Sequence, residues 1–144
     1  MRWKYKKKKK PRPIKRELYK PPNVNVERTL LFWWASTQED DYPALEMLYH
    51  IPIERKRGII ETHNLELMGK KDGIPDVCLP VPSVDGQYHG LYITMRSNIK
   101  TCEKRWIEKL NGQGYKAVNV NRFLDAKAII VEYLGMVNNV RQDD

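Results

Sequence analysis

The sequence has few cysteines, few histidines and no long apolar run, and these absences exclude several classes of protein. Two cysteines, Cys78 and Cys102, cannot form a disulfide framework, and no Cys-x-x-Cys pair is present. A reducing, cytoplasmic environment is therefore expected. No apolar run approaches the roughly 18 residues that a transmembrane helix needs. The basic N-terminus also lacks the apolar stretch of a secretory signal, so we expect neither export nor a membrane partner.

Positive charge is abundant, but it is concentrated at the N-terminus. The 144 residues carry a formal net charge of +8. Residues 1–20 hold eleven Lys or Arg and one acid, whereas residues 21–144 hold fifteen Lys or Arg and seventeen acids. Basic residues attract phosphate through counterion release and need no fold to do so. The distribution therefore indicates a nucleic-acid-binding arm and not a basic folded domain.

The arm is expected to cover residues 1–22, because adjacent lysines repel one another and nearby prolines prevent a helix. It is followed by one folded domain over residues 23–135 and by a polar tail over residues 136–144, as the chain length allows. A solvated arm without a partner is the alternative. In the DNA-binding interpretation, its contacts are made by Lys6, Lys7, Lys8, Lys9, Lys10 and Arg12.

Helical and extended patterns alternate along the folded domain. Asn25, Thr101 and Asn121 are placed to cap helices. Expected helices cover residues 25–36, 43–48, 59–68, 101–114 and 121–135, and expected strands cover residues 75–80, 91–96 and 115–120. The five residues from Leu30 to Trp34 are expected to be mostly buried. This order predicts an α/β (α+β) domain with a mixed sheet and helices on both faces. Its first two strands are antiparallel, and its last two are joined by a parallel crossover.

Three polar residues lie on the first two predicted strands. Asp76 belongs to the first strand, and Thr94 and Arg96 belong to the second. Because residues i and i+2 share a strand face, Thr94 and Arg96 point in the same direction. This layout resembles a PD-(D/E)xK nuclease centre. In that centre an Asp and a Glu hold Mg²⁺, and a Lys two residues after the Glu positions the attacking water.

Several longer motifs resemble the VRR-NUC family of that superfamily. They occur in the family's order and span about residues 24–134, at positions 31–35, 50–52, 67–76, 88–93, 106–111 and 114–118. The resemblance implies a restriction-endonuclease-like fold, Mg²⁺ or Mn²⁺ as the cofactor, no small-molecule cofactor, and hydrolysis of DNA phosphodiesters. Small stand-alone members are typically encoded by phages and prophages. Some act as homodimers on branched DNA, so a homodimer and branched DNA are the expected partners.

The sequence departs from the family at the positions of the family's catalytic and metal-binding residues. Thr94 replaces the metal-binding Glu, Arg96 replaces the Lys, and Glu103 replaces a usual Gln three residues before Trp106. A threonine hydroxyl is a poor substitute for a carboxylate around Mg²⁺. Arginine cannot act as a base, although it can stabilise charge in a transition state. These replacements predict weakened or lost catalysis.

Two hypotheses therefore stay open. In the first, the chain is a metal-dependent DNA nuclease whose catalytic residues are Asp76, Thr94, Arg96 and Glu103. Glu103 then supplies the missing carboxylate, and the metal ligands are Asp76, Glu103 and Glu27. In the second, it is a catalytically inactive pseudonuclease that serves as a DNA-binding or regulatory module. A protein-interaction domain with an incidental basic tail is a third option.

Four basic residues of the folded domain are further candidates. In this fold they could flank the DNA, and the alternative is that they form solvated faces. They are Arg55, Arg57, Lys70 and Lys71.

Overall fold

A computed structural model describes residues 21–52 and 56–137 of the chain. The predicted arm residues Lys6, Lys7, Lys8, Lys9, Lys10 and Arg12 lie outside the described residues, as do Arg55 and residues 138–144 of the C-terminal tail. The predictions made for them therefore stay predictions.

The described residues form a four-stranded mixed sheet with the strand order β1-β2-β3-β4. The strands are β1 Tyr49–His50, β2 Val77–Leu79, β3 Leu91–Met95 and β4 Lys116–Val120. The β1–β2 and β2–β3 pairs are antiparallel, whereas β3 and β4 are parallel. The predicted α/β class and mixed sheet are confirmed. β1 was not predicted, because two residues are too few to show an alternating pattern.

Helices precede β1, separate β1 from β2, and follow β3 and β4. The α-helices are α1 Val24–Gln38, α2 Ile59–Leu67, α3 Thr101–Gly112 and α4 Phe123–Leu134, and a 3₁₀ helix spans Pro43–Met47. All five were predicted in approximately these places. None of the described helices has the length and apolar character that crossing a bilayer requires.

The three predicted caps are each displaced by one or two residues. Asn23 caps α1, and its side chain accepts a hydrogen bond from the backbone N–H of Asn25 at 3.1 Å. Lys100 and Arg122 precede α3 and α4 in extended conformations. Asn25 and Thr101 are already helical, and Asn121 lies one residue before the cap of α4. The preference of certain side chains for cap positions did not locate the first residue of each helix, because tertiary contacts determine where the backbone turns.

The apolar core lies between one face of the sheet, α1 and α4. Buried side chains of β2 and β3 alternate toward this face, as Leu91, Ile93 and Met95 do. The prediction that residues 30–34 are mostly buried is corrected here. Leu31 is fully buried, but Trp33 is 66% exposed, because a helix with 3.6 residues per turn cannot bury five consecutive side chains. Thr94 lies on the opposite face of the sheet, on the side of α3.

Candidate functional site

A cleft of about 510 Å³ opens where β2 begins, β3 ends and α3 begins. Its acidic lining residues are Asp72, Asp76 and Glu103, and its basic lining residues are Lys56, Lys70, Arg96 and Lys100. Thr94, Gly73, Ile74 and Cys102 also line it. The four residues predicted to be catalytic, Asp76, Thr94, Arg96 and Glu103, are thus brought together in one cleft.

Asp76 precedes β2 and uses both carboxylate oxygens within the protein. Its Oδ1 accepts a hydrogen bond from the backbone N–H of Met95 at 2.8 Å. Its Oδ2 accepts one from Nη2 of Arg28 at 2.6 Å. The residue is only 6% exposed, so this is a buried, charge-assisted contact.

Arg28 of α1 was not predicted to belong to the site. It is buried, and its Nη1 also donates to Oδ1 of Asn25 at 3.0 Å. A buried guanidinium is tolerated only when it is paired, and Asp76 is the acid that pairs with it. The spacing of Arg28, Leu31 and Ala35 was the available signal, because it places a charge in the buried stripe of an amphipathic helix.

Glu103 lies in the first turn of α3 and is 4% exposed. Its Oε1 accepts a hydrogen bond from the backbone N–H of Lys100 at 3.4 Å, which helps to cap the helix. Its Oε2 lies 3.2 Å from Nε of Arg96. That contact is an ion pair by distance, but no N–H of a described residue points at Oε2 closely enough to make a hydrogen bond. The helix N-terminus and Arg96 together stabilise the negative charge of Glu103.

Thr94 presents an incompletely satisfied hydroxyl to the cleft. The residue is 1% exposed, and its Oγ1 has no hydrogen-bond partner among the described residues. A buried polar group without a partner costs about 1–3 kcal/mol, so such groups are uncommon and often mark functional sites.

The loop before β2 is fixed on the first turn of α3, and this contact holds the two sides of the cleft together. Gly73 has a φ of +88°, and a Cβ at this position would lie 2.6 Å from the carbonyl carbon of Cys102. Only glycine fits such a close approach. On the same loop, the backbone carbonyl of Asp72 accepts a hydrogen bond from Nε1 of Trp106 at 2.9 Å.

Glu27 is directed to a different place. Its Oε2 accepts a hydrogen bond from the backbone N–H of Phe123, the first residue of α4, at 2.7 Å. A carboxylate is favoured at a helix N-terminus, where backbone N–H groups have no helical partner. Glu27 is not among the described residues that line the cleft, so the structure does not bring it together with Asp76 and Glu103.

The basic residues of the folded domain that were candidates for DNA binding lie in different places. Lys70 lines the cleft, where its Nζ lies 3.8 Å from Oδ1 of Asp72. Arg57 instead forms an ion pair with Glu61 of α2, with Nε and Oε1 3.7 Å apart. Lys71 is exposed. The DNA-binding role of these residues stays a prediction.

These contacts do not fit a divalent metal ion. Mg²⁺ needs several oxygen ligands, most of them carboxylates or water. Here both buried carboxylates of the cleft, Asp76 and Glu103, face arginine guanidinium groups, and the third position is the neutral hydroxyl of Thr94. Within residues 21–52 and 56–137, no three His, Cys, Asp or Glu side chains are grouped so that they could hold a metal ion.

Comparison with solved structures identifies the fold. A structure described as "VRR_NUC domain protein" matches this chain with a TM-score of 0.69 and 25% identity, covering 81% of this chain and 92% of that chain. The chain has a VRR-NUC fold. No family model matches the sequence, and no curated protein matches it. The structural match confirms the predicted resemblance and supports a nuclease-type DNA-binding domain. Nucleases of this kind depend in general on a divalent metal, which makes the VRR-NUC cleft of this chain unusual.

Proposed function

We propose that this chain is a DNA-binding domain of VRR-NUC type in which metal-dependent phosphodiester hydrolysis is strongly reduced or lost. The ion pair between Arg28 and Asp76 is the main support for this proposal. A guanidinium 2.6 Å from Oδ2 engages a carboxylate oxygen that a metal ion would also need. Replacing it by a metal ion would break a buried, charge-assisted ion pair, and such a change is strongly unfavourable.

DNA is the proposed partner for two reasons. The VRR-NUC fold supports a nucleic-acid ligand. Residues 1–20 also carry eleven Lys or Arg against a single acid, which supplies long-range attraction to phosphate. From the family resemblance, we extend the proposal to branched DNA, to a homodimer as the binding species, and to the cytoplasm of a bacterial or phage-infected cell as its location.

A second candidate function is a metal-dependent nuclease in which Glu103 replaces the missing glutamate. The observation that favours it is the burial of Glu103 in the same cleft as Asp76, with an Oε2 atom that receives no hydrogen bond from a described residue. In this alternative, Mg²⁺ or Mn²⁺ would be held by Asp76 and Glu103. Both carboxylates would first have to exchange their arginine partners for the ion.

Cleavage and binding assays on the same DNA distinguish the two functions. Purified full-length protein is incubated with a labelled four-way junction and with linear duplex, in Mg²⁺, in Mn²⁺ and in EDTA. We expect binding in all three conditions and little or no cleavage. The control is Asp76→Asn, which keeps the shape of the side chain. Cleavage by the wild type that disappears in an Asp76→Asn protein shown to be folded by circular dichroism would show an active nuclease, whereas cleavage by both would indicate a contaminant.

Light scattering of the same samples, with and without the junction, measures the mass of the binding species. A mass of two chains supports the homodimer. Equal affinity for junction and duplex would remove branched DNA from the proposal while leaving DNA binding intact.

A further inference from the structure

The charges of the cleft differ from those expected of a metal-binding centre. A centre that binds Mg²⁺ accumulates uncompensated carboxylates, which attract the cation and repel a phosphate unless the cation is present. In this chain each acid of the cleft has a basic neighbour. The N···O separations are 2.6 Å for Arg28–Asp76, 3.2 Å for Arg96–Glu103 and 3.8 Å for Lys70–Asp72.

Two basic residues of the cleft remain after these pairs are counted. Lys56 and Lys100 line it and are exposed, and neither has an acidic partner in the part of the chain that the structure describes. Because these three acids are already compensated, the described residues that line the cleft carry a surplus of positive charge. Charge of one sign at the mouth of a cleft raises the local concentration of a ligand with the opposite charge.

The floor of the cleft offers a hydrogen-bond donor of the right kind. Thr94 lines the cleft, and its buried hydroxyl makes no hydrogen bond within the described residues. A hydroxyl is a weak ligand for Mg²⁺ but a normal donor to a phosphate oxygen. Arg96 borders the same space, and its ion pair with Glu103 fixes the position of a guanidinium that suits phosphate.

We propose that the cleft binds a DNA phosphodiester group directly, without a divalent ion. In this arrangement Thr94, Lys56 and Lys100 contact the phosphate, and Arg96 contributes its charge. Arg28 is a positioning residue, because it neutralises Asp76 from the protein side so that a phosphate can approach. The inference rests on the proposed DNA binding and adds to it the site, the ligand group and independence from metal.

The first test measures the affinity of the full-length protein for a fluorescent duplex by anisotropy, in EDTA and in Mg²⁺ at matched ionic strength. We expect the two dissociation constants to agree within about twofold. An affinity that falls at least tenfold in EDTA would overturn the inference, because the ion would then be part of the binding site.

The second test removes the surplus charge. The variant Lys56→Gln/Lys100→Gln removes both charges and keeps polar, flexible side chains that are only slightly shorter. Lys100 caps α3 through its backbone, which is unaffected. Loss of two phosphate contacts lowers the slope of log affinity against log salt by about 1.8 and the affinity by roughly tenfold or more. The matched control is Arg105→Gln/Lys109→Gln, which removes the same charge from exposed positions of α3 that do not line the cleft.

This comparison distinguishes failure of the phosphate site from failure of DNA binding as a whole. If the protein binds DNA but both double variants behave alike, the cleft is not the phosphate site and only the further inference fails. If the wild type does not bind DNA under any condition, the proposed function itself fails.

The third test uses Thr94→Val, which replaces the hydroxyl by a methyl group of similar size. Removing a buried hydroxyl that has no partner among the described residues is expected to leave the melting temperature unchanged or raise it. The same change should weaken DNA binding at least threefold in EDTA. If Thr94 had a purely structural role, any loss of DNA affinity in Thr94→Val would come with a loss of stability. Unchanged DNA affinity in a stable Thr94→Val protein would therefore contradict the proposed contact.

Discussion

The ion pair between Arg28 and Asp76 leads to the most direct prediction, because it engages an oxygen of the buried carboxylate that a metal-binding centre would use. Nη2 and Oδ2 lie 2.6 Å apart, and the two side chains are only 9% and 8% exposed. Removing one partner of such a pair leaves the other charge buried and uncompensated, at a cost of about 3–5 kcal/mol. We therefore expect Arg28→Met to lower the free energy of unfolding by about that amount, as measured by urea denaturation.

The double variant Arg28→Met/Asp76→Asn separates loss of the pair from loss of packing. Because it removes both charges, it should be considerably more stable than Arg28→Met alone. Arg57→Met is the matched control, since Arg57 pairs with Glu61 at 3.7 Å and the Glu61 side chain is about half exposed. A partly exposed pair of this kind contributes at most about 1 kcal/mol.

Metal addition completes this experiment. In Arg28→Met, the carboxylate of Asp76 lacks its counter-charge, so Mg²⁺ or Mn²⁺ is expected to raise the stability of the variant more than that of the wild type. A loss below 1 kcal/mol in Arg28→Met would refute the reasoning, because Asp76 would then not depend on the guanidinium. Equal stabilisation of wild type and variant by metal would likewise show that Arg28 does not compete with a metal ion for Asp76.

Three further predictions concern the arm, the loop and the catalytic positions. Deleting residues 1–20 should weaken DNA binding and flatten its salt dependence, and an unchanged salt slope would show that the arm is not in contact with DNA. Gly73→Ala should lower stability by about 1–3 kcal/mol because of its positive φ and its close contact with α3, whereas Gly58→Ala, which meets nothing within 4 Å, should have little effect in the same denaturation assay. Thr94→Glu/Arg96→Lys should raise Mg²⁺-dependent cleavage of labelled DNA, since it rebuilds a carboxylate pair and an ammonium group. No gain in cleavage by a folded double variant would mean that restoring these two groups is not enough, because Asp76 is still held by Arg28.

Much of the fold could be predicted because strands and helices leave periodic signals. Leu91, Ile93 and Met95 alternate with more polar residues, and this pattern identified β3 and its buried face. The helix caps were less predictable, because Asn25, Thr101 and Asn121 all have side chains that favour a cap although the turn lies nearby. Local sequence preference therefore indicates several possible cap residues, and packing in the folded structure determines which of them begins the helix.

The candidate site was predictable in its position but not in its charges. The motif around Asp76 and the strand spacing to Thr94 and Arg96 selected residues that the structure brings together in one cleft, and their function stays a prediction. The pairing of Arg28 with Asp76 joins residues 48 positions apart, and no local pattern encodes it. The same limit applies to Glu27, whose carboxylate contacts the N-terminus of α4, 96 positions away.

The differences from a metal-dependent centre all act in one direction. A neutral hydroxyl at Thr94, a permanent cation at Arg96 and a buried cation at Arg28 are each expected to lower the affinity of the cleft for a metal ion and to raise its affinity for an anion. Glu103 fits this change, because its carboxylate holds Arg96 and helps to cap α3. In an ordinary metal centre, the ligand carboxylates repel one another until the ion binds, so stability depends on the ion. Here the compensating charges belong to the chain itself. The fold should therefore keep its stability in a chelator, and the cleft is expected to accept a phosphate without a metal ion.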